Sequence, residues 1–158
     1  GDAIKYEHDI GIILIAAAGN NNGGGVGVVA YPAKLPNCMG VSATTAEDLF
    51  AFGGGICTEG TCTTGRVGMS CTLNSQCNTT SPAWSSNYGN ELDVGAPGDD
   101  IYSTWGGINT TTNCYAYLYC TSMATPSQAG SCSRGPRLTA TGSGTQLKQC
   151  VVASTSVR

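Results

Sequence analysis

Apolar runs of about the length of strands alternate with polar, glycine-rich stretches along most of this chain. The longest apolar run, residues 10–18, is rich in β-branched side chains and does not alternate with polar ones. This pattern predicts a central parallel strand over residues 11–20, covered on both faces. Further strands are predicted over residues 38–45 and 49–55, and the aromatic run that begins at Tyr115 indicates a strand end.

Two segments have the pattern of helices. Residues 2–9 are polar with interspersed apolar positions, and they fit the last turns of an amphipathic helix that stops near Gly11. Small residues over 121–130 follow the aromatic strand, with Pro126 early enough to suit the first turn of a helix. After Gly130 the chain becomes polar and is broken by glycine and proline. Together these elements predict an α/β fold with a mostly parallel sheet.

Length and charge exclude several classes of function. The chain has 158 residues, a net charge of −3 and a charged fraction of only 11%. The sequence has no basic patch of the kind that binds nucleic acid, and it has no apolar run long enough to span a membrane. The first residues carry no secretory signal. We therefore expect neither nucleic-acid nor membrane partners.

Nine cysteines indicate an oxidising compartment, and hence a secreted or lumenal protein. Because nine is odd, at least one thiol is unpaired or has its partner outside this chain. Four cysteines lie in a polar segment, residues 56–82, that has no hydrophobic period: Cys57, Cys62, Cys71 and Cys77. We predict that these four pair among themselves as disulfides. Zinc is the alternative, but the spacing shows no Cys-x-x-Cys pair and no histidine is near.

Ser122 lies where the strand pattern stops and the helix pattern begins. A hydroxyl there is beside the unpaired N–H groups of a helix N-terminus, where negative charge is favoured, and this suits a nucleophile whose reaction builds an oxyanion. The alternative is that Thr121 or Ser122 only caps the helix. Asn20 is the last residue of the strand predicted over residues 11–20, at the edge where open α/β sheets bind ligands. Its alternative role is that of a turn residue in a left-handed conformation.

Several motifs resemble those of the subtilisin-like serine proteases, the subtilases. Residues 121–126, Thr-Ser-Met-Ala-Thr-Pro, resemble the nucleophile motif of that family, Gly-Thr-Ser-Met-Ala-x-Pro-His. Residues 17–20, Ala-Ala-Gly-Asn, resemble the segment that carries its oxyanion-hole asparagine. Residues 31–33, 84–89 and 93–98 match further family segments in the same order: Tyr-Pro-Ala, Trp-Ser-Ser-Asn-Tyr-Gly and Asp-Val-Gly-Ala-Pro-Gly.

The resemblance implies roles for particular residues. Ser122 would be the nucleophile, and the side-chain amide of Asn20 would donate to the oxyanion. The residues implied at the substrate-binding cleft are Ala17, Ala18, Gly19, Tyr31, Pro32 and Cys120. The sequence departs from the family at Cys120, where the family has glycine, and at Ser127, where it has histidine. No side-chain metal site is implied, but backbone carbonyls near Ala33 and Leu35 hold a weak cation in some members, so a structural calcium ion is the one cofactor considered.

The resemblance covers most of residues 1–130 apart from the Cys-rich segment, and it matches only the later half of a subtilase catalytic domain. It implies that most of the core helix after Gly130 is absent and that residues 145–152 form the family's next helix. The segments bearing the catalytic aspartate and histidine would precede Gly1. His8 and Asp93 lack the surroundings of those two residues, so we expect a surface histidine near a helix C-terminus and a buried-edge or turn carboxylate. Residues 1–158 are thus predicted to form part of a three-layer, subtilisin-like domain that is incomplete on its N-terminal side and carries a Cys-rich insertion at residues 56–82.

The implied function is that of a secreted serine endopeptidase fragment that acts on polypeptides by acyl transfer. The missing N-terminal part of the same domain would supply the aspartate and histidine. We expect the 158-residue chain alone to be inactive, because a serine hydroxyl is a weak nucleophile without a base. Two alternatives stay open: a catalytically dead subtilase-like module that binds peptides, and a Cys-rich extracellular interaction protein. The protease interpretation requires Ser122 and Asn20 to meet at one cleft.

Overall fold

The computed structural model describes residues 1–21, 28–81, 83–105 and 115–134. Its elements mix helices with parallel and antiparallel strands, so the predicted α/β class is confirmed. In chain order they are α1 (Asp2–Asp9), β1 (Leu14–Ala17), β2 (Asn20–Asn21), β3 (Cys38–Thr44), β4 (Cys57–Thr58), β5 (Thr61–Cys62), a short 3₁₀ helix (Asn74–Cys77), β6 (Ser85–Ser86), β7 (Val94–Pro97), β8 (Ile101–Thr104), β9 (Tyr115–Leu118) and α2 (Thr121–Arg134). The helix predicted at residues 145–152 lies outside the described residues.

The central feature is a three-stranded parallel sheet in the order β1-β3-β7. Leu14 pairs with Cys38 on one side of β3, and Val41 pairs with Val94 on the other. All of β3 except Thr44 is buried, as its apolar sequence predicts. Because the strands are parallel, their carboxyl ends lie at one edge of the sheet, where the candidate site is found.

Helix α2 packs across all three strands of this sheet. The approach is close because the facing side chains are small: Ala43, Ala96 and Ala124 are all buried. Gly98 has the same effect at the end of β7, since a Cβ there would lie only 2.7 Å from Ala43 Cβ and 2.8 Å from Cys120 O. A larger residue would push the start of α2 away from the sheet. The core is completed by Val41, Ala51 and Trp84.

Two of the predicted strands differ in the structure. β1 begins only at Leu14, its residues are half-buried, and among the described residues it pairs with β3 alone. The prediction of a central strand over residues 11–20, covered on both faces, is therefore wrong for this part of the molecule. The strand predicted over residues 49–55 is also absent, because only Phe50 makes a bridge, to Thr44.

Helix α2 departs from its prediction at both ends. It begins at Thr121, so Pro126 lies in the second turn rather than the first, where its missing N–H removes the usual bond to the carbonyl of Ser122. The helix also continues beyond Gly130 to Arg134 instead of breaking there. Polar side chains are tolerated because they bond along the helix: Ser131 Oγ, for example, donates to Ser127 O at 3.1 Å.

The Cys-rich segment is held by two disulfides, Cys57–Cys71 and Cys62–Cys77. The prediction that these four cysteines pair among themselves is confirmed, and their sulfurs are therefore not thiolate ligands for zinc. Arg66 is the one residue described here that forms an ion pair across to the body, with Glu47 at 2.8 Å. The status of residues 56–82 as an insertion into a family domain, and the three-layer arrangement, stay predictions. Neither described helix has the length and hydropathy needed to cross a membrane.

Candidate active site

Ser122 is the second residue of α2, and it is exposed at the N-terminus of that helix. The start of the helix is fixed by backbone hydrogen bonds on both sides. Cys120 N donates to Gly98 O at 2.9 Å, and Met123 N donates to Cys120 O at 3.0 Å. The serine hydroxyl thus lies at a helix N-terminus, as the pattern predicts, and close to the carboxyl edge of the sheet.

Thr121 joins the start of α2 to the segment that follows β1. Its side chain is fully buried, and its Oγ1 accepts a hydrogen bond from Gly19 N at 3.2 Å. Its own backbone N–H donates to Asn20 Oδ1 at 2.8 Å. These bonds join residues 102 and 101 positions apart in the sequence. They hold Asn20 beside the residue that directly precedes Ser122.

The bond from Thr121 also fixes the orientation of the Asn20 amide. A backbone N–H can only donate, so the side-chain atom that faces it is the carbonyl oxygen Oδ1. The amide nitrogen Nδ2 is then the arm that can donate to another group. Asn20 is exposed and pairs with Ser86 in the antiparallel strands β2 and β6. An exposed asparagine held beside the residue that precedes Ser122, at a helix N-terminus, offers an amide donor suited to binding a developing negative charge.

An apolar groove of about 590 Å³ lies between β1 and α2, and Ser122 is part of its wall. The β1 side is formed by residues 13–17, which include the predicted substrate residue Ala17. The α2 side continues with Thr125, Pro126 and Ala129. The groove exists because this edge of the sheet is uncovered among the described residues.

Ala18 and Gly19 occupy the turn between β1 and Asn20. Ala18 is fully buried, so its side chain belongs to the core rather than to an open cleft. Gly19 has φ +96°, a left-handed conformation that favours glycine, and a Cβ there would lie 2.6 Å from Asn87 Nδ2. The glycine therefore lets the chain turn sharply and pass close to Asn87.

The remaining predicted cleft residues lie in other places. Tyr31 and Pro32 are exposed in a turn where the Lys34 ammonium sits 3.9 Å above the Tyr31 ring. Among the described residues, neither Tyr31 nor Pro32 is part of the groove wall that contains Ser122. Cys120 is half-buried directly before Thr121 and is not part of the groove wall. Roles for these residues in substrate binding stay predictions.

The two residues rejected as triad members are placed elsewhere. His8 lies in the last turn of α1, with Nδ1 3.7 Å from Asp9 Oδ1, and it is not part of the groove wall. A hydrogen bond from Lys5 holds the pKa of Asp9 below its usual value. Asp93 accepts a hydrogen bond from Gly40 N at its Oδ2, at 2.9 Å, and lies exposed directly before β7 rather than at the expected buried edge.

The carbonyls considered for calcium face other parts of the backbone. Leu35 O accepts a hydrogen bond from Cys38 N at 3.2 Å. Ala33 O lies 2.8 Å from where a Cβ on Gly40 would be. Calcium takes about six to eight oxygen ligands, and these two carbonyls do not make such a shell by themselves. A structural calcium ion at this turn stays a prediction.

Two residues that shape the site, Thr121 and Asn87, are not predicted from the sequence in these roles. Thr121 was considered only as a helix cap, whereas the structure shows it bonded to Gly19 and Asn20. Asn87 was not singled out, yet its buried side chain bonds the same turn. Both lie within family-like motifs, and this was the only signal in the sequence that could have found them.

The Subtilase family model, Peptidase_S8, matches residues 1–156. The chain therefore belongs to the subtilase family. The residues brought together at the start of α2 are those of the two motifs that resemble the nucleophile and oxyanion segments of this family.

Individual relatives match over short stretches. The subtilase-type proteinase isp6 of Schizosaccharomyces pombe is 54% identical over 48 residues, which are 30% of this chain and 10% of that protein. Alkaline protease 1 of Aspergillus flavus is 50% identical over 48 residues, which are 30% of this chain and 11% of that protein. The matched segment thus spans about a tenth of each relative. Among solved structures, the prenylagaramide maturation protease PagA aligns with a TM-score of 0.48 at 23% identity, over 83% of this chain and 34% of that one.

Proposed function

We propose that this chain is the nucleophile-bearing and oxyanion-binding part of a secreted serine endopeptidase. The observation that carries the proposal is the hydrogen bond from Thr121 N to Asn20 Oδ1, which holds a donor amide next to Ser122. Family membership supplies the reaction class. The two disulfides are compatible with an extracellular location, because such bonds persist in oxidising compartments.

In the proposed reaction Ser122 Oγ attacks the carbonyl carbon of a peptide bond and loses its proton to a histidine. The carbonyl oxygen becomes an oxyanion, which accepts hydrogen bonds from Asn20 Nδ2 and from the backbone N–H of Ser122. The C–N bond then breaks, the histidine returns the proton to the leaving amine, and an acyl-enzyme remains on Ser122. Water releases the acid product by the same steps in reverse, and an aspartate orients the histidine throughout.

The histidine and aspartate would come from a part of the same polypeptide that precedes Gly1. Two features of the described residues support this arrangement. β1 is an edge strand here, and its uncovered side borders the apolar groove in which Ser122 lies. A preceding segment that packed against β1 and α2 would cover this groove and bring a base to Ser122.

The proposal is tested with the complete polypeptide that contains this sequence. We expect it to hydrolyse a protein substrate and to react at Ser122 with a fluorophosphonate probe, located by mass spectrometry. Ser122→Ala should abolish both, because the nucleophile is lost. Ser127→Ala is the matched control: that serine is also exposed on α2, and its hydroxyl bonds Met123 O, so its loss should leave activity within about twofold. A folded complete protein that neither cleaves nor reacts would instead be a peptide-binding module.

Asn20→Asp isolates the proposed oxyanion donor. The substitution keeps an oxygen for Thr121 N and removes the amide N–H. The expected loss in kcat is at least about 10²–10³-fold, a size measured for the corresponding donor in a subtilisin. An unchanged kcat would exclude Asn20 from the oxyanion site while leaving Ser122 as the nucleophile.

A further inference from the structure

We propose that Asn87 is a positioning residue that holds the backbone before Asn20 so that the Asn20 amide stays at the oxyanion site. The inference rests on the proposed function and adds a residue to it. Asn87 lies in the segment after β6, and only 5% of its surface is exposed. It reaches the site through the turn at Ala18 and Gly19.

The side-chain amide of Asn87 ties together two separate stretches of backbone. Its Nδ2 donates to Ala18 O at 3.1 Å and to Val28 O at 2.9 Å. Ala18 lies just before Asn20, and Val28 lies where the described chain resumes after residue 21. Ala30 N also donates to Ala18 O, at 2.8 Å. The stretch that leads to Asn20 and the stretch that returns are therefore held to one another at the Asn87 amide.

The backbone of Asn87 fixes the next peptide group. Its N–H donates to Gly19 O at 2.8 Å, while Gly19 N donates to Thr121 Oγ1 on the other side. Gly19 is thus bonded through both its N–H and its carbonyl to two different elements. Because Asn20 follows directly, these bonds fix the position of its Cα. The bond from Thr121 N to Oδ1 then fixes the orientation of its side-chain amide.

The two arms of the Asn87 amide differ in their partners. Oδ1 is buried and has no hydrogen-bond partner among the residues that the structure describes, whereas Nδ2 holds two carbonyls at once. Nδ2 also lies only 2.6 Å from where a Cβ of Gly19 would be. A side chain at position 19 would therefore displace the Asn87 amide, so the turn depends on both residues.

The test is a double-mutant cycle in the complete polypeptide. Asn87→Leu removes the donor arm and the unpaired oxygen together, and Asn87→Asp keeps the shape but replaces the donor arm with oxygen. We expect each to lower kcat about tenfold, with KM changed less than about twofold, because the oxyanion is bound only in the transition state. In the Asn20→Asp background the same substitutions should have no further effect on kcat, since Asn87 acts through Asn20. A full additional tenfold loss in that background would overturn the proposal.

Two controls separate positioning from general destabilisation. Thr79→Val removes a buried hydroxyl that bonds the backbone of Phe50 and Phe52, so it should lower the melting temperature without changing kcat. Asn90→Leu changes an exposed asparagine in the turn just beyond Asn87 and should change neither. If Thr79→Val lowers kcat as much as the Asn87 variants do, Asn87 has no specific role.

Hydrogen exchange decides the inference independently of catalysis. If the complete protein is inactive, kcat cannot be measured and the proposed function fails. The exchange rates of the Gly19 and Thr121 amides still report on whether the turn is held in place. We expect Asn87→Leu to speed their exchange at least about tenfold relative to Thr79→Val. Unchanged exchange at both amides would overturn the positioning role. If Asn87→Leu does not fold, Asn87→Asp is measured against the same control.

Discussion

The region around Ser122 and the Cys-rich segment are stabilised differently. The first is held by close packing and long-range hydrogen bonds, and the second by disulfides. At the start of α2, small buried side chains let the helix and the sheet approach each other closely. Thr121 donates a hydrogen bond to Asn20 and accepts one from Gly19, about a hundred positions away in the sequence. Between residues 56 and 81, two disulfides with sequence separations of 14 and 15 hold a polar chain whose main buried cluster is the cysteines themselves.

The difference shows which kind of order each region needs. A site must place a few atoms relative to one another, and this follows from close packing and from bonds that leave no alternative geometry. A polar surface loop needs only to be restrained, and covalent links do this without a large apolar core. The Cys-rich segment is joined to the body by bonds from Thr79 to the backbone of Phe50 and Phe52 and by the ion pair between Arg66 and Glu47.

The largest effect is expected from cutting a disulfide. Replacing Cys62 and Cys77 together by alanine removes the link across a 15-residue separation, and such a loop closure contributes about 3 kcal/mol. We expect amides of residues 56–81 to exchange rapidly while those of β3 keep their protection, measured by hydrogen exchange. Loss of protection in β3 to the same degree would show that the two regions are one cooperative unit.

Two glycine substitutions test the close packing on the other side of the comparison. Gly98→Ala places a methyl 2.7 Å from Ala43 Cβ, and overpacking of this kind costs about 1–3 kcal/mol. Gly130→Ala is its control, because an added Cβ on that exposed position of α2 meets nothing within 4 Å, and glycine in a helix is roughly 0.5–1 kcal/mol less favourable than alanine. Thermal unfolding should shift down for the first and up for the second. Equal shifts would mean that the approach of α2 to the sheet is not tight.

The smallest effect is expected at the ion pair between Arg66 of the Cys-rich segment and Glu47 in the turn after β3. The side chain of Glu47 is 59% exposed and that of Arg66 27%, and exposed ion pairs contribute about 0–1 kcal/mol. Glu47→Gln should therefore change the free energy of unfolding by less than about 1 kcal/mol in denaturant titrations. Glu59→Gln, at another exposed glutamate, is the control. A loss well above the control, confined to residues 56–81, would make this ion pair part of what holds the segment.

Features that depend on neighbouring residues in the sequence were the ones predictable from it. The strand at β3, the helix over residues 2–9 and the pairing of the four nearby cysteines are of this kind. The motifs also indicated that Ser122 and Asn20 belong together, and the structure places Asn20 against the residue before Ser122.

The errors concern features that distant residues decide. Whether β1 is central or at an edge depends on what lies beside it, which residues 11–20 do not encode. The run at 49–55 is apolar enough for a strand, but side-chain hydroxyls take its N–H groups: Phe52 N donates to Thr79 Oγ1 at 2.7 Å and Gly53 N to Ser85 Oγ at 3.0 Å. A regular ladder with a neighbouring strand cannot use the same donors.

The bond between Thr121 and Asn20 also has a consequence for the order of events during synthesis. It joins residues 101 positions apart, and it cannot form until the ribosome has released the start of α2. Chains grow at about 5–20 residues per second, so several seconds pass in which the Asn20 turn exists without its counterpart. Closing so long a loop is also entropically unfavourable and comes late in folding. Until then the nascent chain lacks the bond that holds Asn20 beside the residue preceding Ser122.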